Sequence, residues 1–217
     1  MLLKQEIDQL NAALAQQVPP QVLSSLAEAI RQLDGSGIAR SSVQVGEHAP
    51  EFALPNASGV TIKLADLLQE GPVVLSFYRG IWCPYCNLEL AALQRVLPQI
   101  RELGAQLVAV SPQTPEPTQQ TVAKHGLAFQ VLCDEGNRVA ESYGLSFLLP
   151  ESVRPVYAAL GVDLPGFNGD DTFKLPMAAT YVIARDGKVS HAFVNADYTQ
   201  RLEPAEIVAA LERLKRS

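Results

Sequence analysis

Apolar residues at helical spacing open the chain. Leu3, Ile7, Leu10 and Leu14 follow steps of four, three and four, which places them on one face of an amphipathic helix. Two prolines interrupt this pattern, and a second stripe of the same period follows at Val22, Leu23, Leu26, Ile30 and Leu33. We therefore predict an N-terminal helical extension over residues 1–40, a hairpin that ends at the turn sequence "DGSG". Its stripe suits packing against the same chain or a second copy, so a homodimer is one candidate assembly.

From residue 43 onward, short apolar runs alternate with helical stretches. Strands are predicted at residues 52–54, 60–62, 72–78, 105–111, 129–132, 180–185 and 188–194. Helices are predicted at residues 64–69, 84–103, 116–125, 136–143 and 204–215. The turn dipeptide Asp186-Gly187 joins the last two strands into a hairpin. This alternation predicts an α/β domain over residues 41–217, with a central sheet flanked by helices.

One segment of that domain fits neither period. Residues 146–176, "SFLLPESVRPVYAALGVDLPGFNGDDTFKLP", are rich in proline and glycine. We predict an insertion here with one short helix around residues 153–160.

Composition and charge limit the function classes. Of the 217 residues 47% are hydrophobic and 18% charged, which is typical of a soluble globular protein with a full core. The net charge of −6 and the lack of a basic block argue against nucleic acid or an anionic membrane as partner. Lys4, Glu6 and Asp8 break the apolar character that a signal peptide needs, and no run reaches membrane-spanning length. We expect a cytoplasmic protein.

Two of the three cysteines fall in "SFYRGIWCPYC", where an apolar strand meets a helix. If the helix begins at Pro84, Cys83 is its N-cap and Cys86 its third residue, so both sulfurs lie on one side of the first turn. A helix N-terminus stabilises a thiolate and lowers a cysteine pKa from about 8.5 to between roughly 3.5 and 7.5. The spacing also allows a disulfide to form without unfolding. The pair is therefore predicted to be redox-active.

A structural pair of buried thiols and a zinc site are the alternatives for the cysteine pair. The zinc site can be tested against the composition of the chain. It would need four ligands, and the remaining candidates, none of which forms a second close pair, are Cys133, His48, His125 and His191. We therefore expect neither a metal nor another cofactor. Cys133 itself is either a small buried hydrophobic residue or a third redox partner.

Three stretches carry a family resemblance. "VGEHAPEFALPNASGVTIKLADLLQEGPVVLSFYRG", "CDEGNRVAESYGL" and "ATYVIARDGKVSHAFV" resemble the peroxiredoxin-like branch of the alkyl hydroperoxide reductase and thiol-specific antioxidant family. The resemblance runs from about Gly46 to the C-terminus and implies a thioredoxin-like fold of the peroxiredoxin type, with a central mixed sheet.

The resemblance also suggests roles for the residues of the motif. Typical peroxiredoxins carry Pro-x-x-x-Thr-x-x-Cys here, which puts Arg79 at the proline, Cys83 at the threonine and Cys86 at the peroxidatic cysteine. The arginine that such proteins carry near the start of a late strand would fall at residues 177–179, where there is none. "WCPYC" also resembles thioredoxins, in which the first cysteine attacks.

Three functions follow from these resemblances. The main one is a thiol peroxidase, an antioxidant oxidoreductase for hydrogen peroxide or alkyl hydroperoxides. In it Cys86 attacks, Cys83 resolves, and thioredoxin or a glutathione-type thiol is the reductant. The alternatives are a thioredoxin-like disulfide oxidoreductase with Cys83 as nucleophile, and a non-catalytic redox sensor.

Three neighbouring side chains are candidate supporting residues. Trp82 either shields the sulfurs or contacts the substrate. Arg79 either supplies a positive charge or is a solvated loop residue. Tyr78 ends an apolar strand, where core packing is the simpler interpretation.

Overall fold

The computed structural model describes residues 1–216, and strands and helices make up most of that span. The strands are β1 (Ala53–Pro55), β2 (Thr61–Lys63), β3 (Val73–Phe77), β4 (Gln106–Ser111), β5 (Gln130–Cys133), β6 (Ser146–Leu148), β7 (Lys174–Pro176), β8 (Ala178–Ile183) and β9 (Val189–Asn195). The α-helices are α1 (Leu3–Gln17), α2 (Pro20–Gly35), α3 (Leu64–Glu70), α4 (Pro84–Glu102), α5 (Pro115–His125), α6 (Arg138–Ser142), α7 (Arg154–Ala159), α8 (Leu164–Asn168) and α9 (Pro204–Arg216).

A five-stranded mixed sheet forms the centre, in the order β5-β4-β3-β8-β9. β3 pairs in parallel with β4 and antiparallel with β8. All five β3 residues are buried, as a strand covered on both faces requires. Val73, Leu75 and Phe77 face one apolar cluster, while Val74 and Tyr78 face the other. The central strand thus ends between two layers of core, and the cysteine loop follows it directly.

The predicted elements are confirmed within two residues at each end. The predicted mixed α/β architecture is confirmed as well, and the hairpin of β8 and β9 turns at Asp186-Gly187. The sequence missed β6 and β7, which pair antiparallel across the insertion. Each has only three residues, too few for a period of two to stand out. The division into an extension over 1–40 and a domain over 41–217 stays a prediction, and Ser217 lies outside the described residues.

The N-terminal hairpin forms as predicted, and α1 packs on the chain itself. Leu3 and Ile7 are buried in the same cluster as Leu90 and Leu93 of α4. The N-terminus of α1 is capped from the other end of the chain, because the Glu203 carboxylate accepts the backbone N–H of Leu3 at 3.2 Å and of Lys4 at 2.6 Å. The homodimer therefore stays a prediction, with this half of the stripe engaged internally.

The insertion folds into its own small apolar cluster. Its predicted helix is confirmed as α7, and the cluster consists of Leu149, Val153, Tyr157, Leu164 and Leu175. Leu26 and Ala29 of α2 pack against this cluster, so the insertion and α2 form one layer beside the cysteine loop. Among residues 1–216, no helix combines the length and the apolar content needed to cross a membrane.

The cap at α1 predicts a measurable stability effect. Glu203→Ala leaves two backbone donors at the start of α1 without their acceptor, and we expect it to lower the free energy of unfolding by about 1 kcal/mol. Glu212→Ala on α9, which removes only an exposed ion pair, is the control and should change it by less than about 0.5 kcal/mol. Urea denaturation measures both. Equal losses would show that this contact does not hold α1.

Candidate active site

The two cysteines occupy the first turn of α4, as the sequence predicts. Cys83 is the N-cap with an extended backbone, and Pro84 is the first helical residue. Both thiols are free, and Cys83 and Cys86 are 1% and 0% exposed. Both sulfurs are buried, unlike surface thiols. They also lie at a helix N-terminus, where backbone N–H groups favour a negative charge.

Two donors converge on the Cys86 sulfur. The backbone N–H of Arg79 and the Nη2 group of Arg201 each lie 3.4 Å from Cys86 Sγ. Arg201 Nε also donates to Glu89 Oε2 at 2.7 Å, and this ion pair is almost fully buried. Glu89 lies one turn beyond Cys86 on α4, which brings both side chains to the same face. The Arg201 guanidinium, held in place by the Glu89 carboxylate, therefore contacts the Cys86 sulfur.

Arg79 forms the second buried cation, so its interpretation as a solvated loop residue is wrong. The side chain is 2% exposed, and its guanidinium carbon lies 5.0, 5.7 and 4.0 Å from the ring centroids of Trp82, Tyr157 and Tyr198. It also donates to the Tyr157 hydroxyl. Within residues 1–216 no carboxylate pairs with it, and its Nε has no hydrogen-bond partner. Aromatic faces and the nearby sulfurs stabilise this charge instead.

The loop between β3 and α4 is fixed by a buried amide. Gln113 accepts the Ile81 N–H at 2.8 Å and donates to the Tyr78 hydroxyl at 3.3 Å. Tyr78 is fully buried, so its supporting role is structural. Gly80 has φ +150°, and a Cβ there would collide with Trp82 Nε1. The Trp82 ring can therefore fold back over the loop only because residue 80 is glycine.

A cavity of about 360 Å³ adjoins Cys83. We call it the hairpin cavity because the N-terminal hairpin supplies most of its aliphatic lining. These residues are Leu14 of α1, Val18 between the two helices, and Leu23, Leu26, Ala27 and Ile30 of α2. Arg79, Trp82 and Cys83 line its inner end, together with Tyr157 and Tyr198, whereas Cys86 does not reach it. Cys83 is thus the sulfur that a small molecule in the cavity meets first.

The sequence is similar to that of a known protein family. The family model described as AhpC/TSA family matches residues 45–192, more than half of the chain. The chain belongs to the AhpC/TSA family. Its N-terminal hairpin lies outside the matched residues.

Among curated proteins, this AhpC/TSA member is similar to two kinds of relative. It is 35% identical over 107 residues to the thiol-disulfide oxidoreductase ResA of Halalkalibacterium halodurans, covering 49% of this chain and 60% of that protein. It is 37% identical over 101 residues to the putative peroxiredoxin bcp of Helicobacter pylori strain J99, covering 46% of this chain and 66% of that protein. The family and these relatives indicate an oxidoreductase enzyme.

Solved structures show the same fold. Peroxidoxin BcpB from Mycobacterium tuberculosis superposes with a TM-score of 0.62 at 22% identity, covering 79% of this chain and 97% of that one. A cysteine-to-serine mutant of peroxiredoxin 6 from Arenicola marina gives 0.62 at 18% identity, with 80% and 74% covered. The chain is a peroxiredoxin-like protein of thioredoxin fold.

The candidate active site contains the guanidinium of Arg201, which the sequence analysis did not predict there. No arginine occurs at residues 177–179, but Arg201 reaches Cys86 from the segment between β9 and α9. The one available signal was "DYTQR" directly after the last strand. Glu89 could have been found from its spacing of three from Cys86, which puts both on one helix face.

Electrostatics favour one thiolate in the pair. Burial opposes ionisation of Cys83, but the hydrogen bond from the Cys86 thiol and the charges of Arg79 and Arg201 outweigh it and lower the Cys83 pKa to about 6. Burial raises the pKa of Cys86, and the neighbouring Cys83 raises it further. Burial also raises the pKa of Glu89 to about 7, against the effect of Arg201. Cys83 therefore loses its proton easily, whereas Cys86 retains its proton.

Cys133 has different surroundings. It ends β5, two strands from β3, and its thiol donates to Thr118 Oγ1 at 3.4 Å. Adjacent strands lie about 4.8 Å apart, so β5 is about 10 Å from β3. Burial raises the pKa of Cys133, which disfavours the reactive thiolate. In the described part of the chain, no group of three or more His, Cys, Asp or Glu side chains could hold a metal ion.

The contact of Arg201 with the pair gives a titration prediction. Arg201→Met removes a positive charge that favours the thiolate, so we expect the lower cysteine pKa to rise by about 1 unit or more. Thiolate absorbance near 240 nm, followed against pH, measures it. Arg216→Met, which alters only an exposed side chain on α9, is the control. An unchanged titration curve in Arg201→Met would contradict the role assigned to Arg201.

Proposed function

We propose that this protein is a thiol peroxidase that reduces hydroperoxides with the Cys83 and Cys86 pair. The observation that carries the proposal is the position of Cys83, which borders a cavity of small-molecule size and has a pKa lowered to about 6. Thiolates, not thiols, attack the O–O bond. Because the pKa of Cys83 is about 6, its thiolate form dominates at neutral pH. Its 1% exposure favours a small substrate over a protein surface.

The reaction consumes two thiols for each hydroperoxide. A cysteine thiolate attacks the terminal peroxide oxygen, so an S–O bond forms and the O–O bond breaks. The leaving alkoxide takes a proton to become an alcohol, or, with hydrogen peroxide, the leaving hydroxide becomes water. The second thiol attacks the sulfenic sulfur, forming the disulfide and releasing water. The guanidinium groups of Arg79 and Arg201 stabilise the negative charge that develops. A thiol reductant then restores the dithiol.

The order of attack is the point on which alignment and geometry disagree. The peroxiredoxin pattern assigns the attack to Cys86, and two donors do point at that sulfur. Access and pKa favour Cys83, because it borders the cavity and ionises first. We assign the attack to Cys83 and the resolving step to Cys86, since Cys83 lines the cavity and Cys86 does not.

Thiol-disulfide exchange is the second candidate. The ResA relatives and the "WCPYC" sequence favour it, and it uses the same Cys83 nucleophile. A protein disulfide would reach Cys83 only after the hairpin moved away. The same burial makes a glutathione-type thiol a better reductant than thioredoxin. A cytoplasmic location and a homodimer remain part of the proposal.

Single serine variants test the order of attack. With one equivalent of hydrogen peroxide, Cys86→Ser should gain one oxygen at Cys83 by mass spectrometry, whereas Cys83→Ser should stay reduced. The reverse pattern, with Cys83→Ser oxidised and Cys86→Ser reduced, would show that Cys86 is the attacking residue. Cys133→Ser is the control and should match the wild type. If neither variant is oxidised, the peroxidase function is wrong.

A second experiment, on turnover, distinguishes an enzyme from a redox sensor. With excess peroxide and a thiol reductant, the wild type should consume many equivalents, while a sensor stops after one.

The lowered pKa predicts the pH dependence of the reaction. Because the thiolate attacks, the second-order rate constant for peroxide should be half-maximal near pH 6, level above about pH 7, and fall about tenfold per unit below pH 5. Stopped-flow mixing of the reduced protein with peroxide measures this profile. A midpoint near 8.5, the value of an ordinary thiol, would contradict the proposed thiolate.

A further inference from the structure

The underside of α2 lies over open space next to the site. None of the α2 residues is fully buried, although the helix carries a long apolar stripe. Beneath it lie the hairpin cavity and a second cavity of about 200 Å³. Leu26, Ile30, Arg79, Tyr157 and Tyr198 line both cavities. The apolar stripe of α2 therefore covers a space that ends at the Cys83 sulfur. A helix in a protein core would instead pack its stripe against other side chains.

The walls and the inner end of the hairpin cavity differ in chemistry. The walls from α1 and α2 are aliphatic throughout, and Leu160 and Val162 of the insertion continue them. Polar groups are confined to the inner end, and most have protein partners. The Tyr85 hydroxyl donates to Asn11, and the Tyr157 hydroxyl accepts from Arg79. Such a cavity suits a molecule with a long apolar body and one polar end.

Two donors at the inner end have no partner, the Nε1–H of Trp82 and the Nε–H of Arg79. The Nε–H of Arg79 is buried and unbonded, although the other side of the guanidinium contacts Tyr157. A buried donor without an acceptor is destabilising, and a ligand oxygen that accepts its hydrogen bond removes that cost. Arg79 also lacks a carboxylate partner in the described chain. A peroxide oxygen placed beside Cys83 supplies the missing acceptor.

We propose that the hairpin cavity binds the aliphatic chain of an organic hydroperoxide, so that the N-terminal hairpin selects long unbranched substrates over hydrogen peroxide. The inference rests on the proposed peroxidase function and adds to it a substrate-binding site. Most of the aliphatic lining of that site comes from the N-terminal hairpin, outside the matched family segment of residues 45–192. The alcohol product keeps the chain, and the protein thiols supply both electrons.

Chain length sets the size of the effect. Each methylene moved from water into an apolar site contributes a favourable free energy that corresponds to about a threefold to fourfold gain in binding. Hydrogen peroxide has no apolar part and gains nothing from the walls. We therefore expect kcat/KM to rise about threefold per methylene from butyl to octyl hydroperoxide, until the cavity is filled.

A cavity-filling variant provides the test. Ala27→Phe places a ring in the cavity, and the ratio of kcat/KM for octyl hydroperoxide to that for hydrogen peroxide should fall at least tenfold. Ala13→Phe on the exposed side of α1 is the matched control and should keep the wild-type ratio. If Ala27→Phe fails to fold, Ile30→Gln makes the wall polar and should lower the ratio in the same direction. Chain-length independence in the wild type, or an unchanged ratio in the folded variant, would overturn the proposal.

Binding of an inert analogue separates this inference from the peroxidase function. Trp82 is the only tryptophan and lines the cavity, so 1-octanol should change its fluorescence in a saturable way. The signal should be lost in Ala27→Phe and kept in Ala13→Phe. If no hydroperoxide is consumed but octanol binds in this pattern, the proposed function fails and the aliphatic site stands. If octanol does not bind, the site itself is wrong.

Discussion

Burial of positive charge beside two sulfurs is the constraint on which this site depends. Removing a guanidinium from water costs several kcal/mol unless other groups replace the solvent. Arg201 has Glu89 as its partner, but Arg79 has three aromatic rings, one hydroxyl and the sulfurs. A thiolate is therefore part of what stabilises Arg79 in its place. The lowered pKa of Cys83 and the buried cation have the same cause, and each favours the other.

One short segment links this charge cluster to the covering helices. Between β9 and α9, the ring of Tyr198 stacks on Arg79, Arg201 contacts Cys86, and Glu203 caps α1. The Arg201 guanidinium also donates to the Tyr198 carbonyl, which stiffens the segment. The position of the hairpin and the geometry of the sulfurs thus depend on the same few residues. The segment between β9 and α9 holds both the helices that cover the cavity and the charged groups beside the cysteines.

Sequence patterns captured what depends on near neighbours. Pro84 fixes the start of α4, and this alone placed Cys83 at the N-cap and Cys86 three residues on. Arg201 could not be found this way, because it is 115 positions from Cys86 and only the closed sheet brings them together. The same holds for Tyr157, which comes from an insertion without a clear period. Arg79 looked like a loop residue because two of the three rings that bury its side chain, Tyr157 and Tyr198, come from distant segments.

In the proposed cycle, the cysteine at the position of the usual threonine also changes how the disulfide forms. In the peroxiredoxin pattern that position carries a hydroxyl beside the peroxidatic sulfur, whereas here it carries a second sulfur in the same helical turn. Neighbouring sulfurs at a helix start can form a disulfide with little backbone movement. The proposed attack and resolving step can therefore both occur beneath the hairpin, without movement of either sulfur to the surface. Full burial of both thiols is compatible with catalysis for this reason, since no step up to the disulfide requires either sulfur to reach solvent.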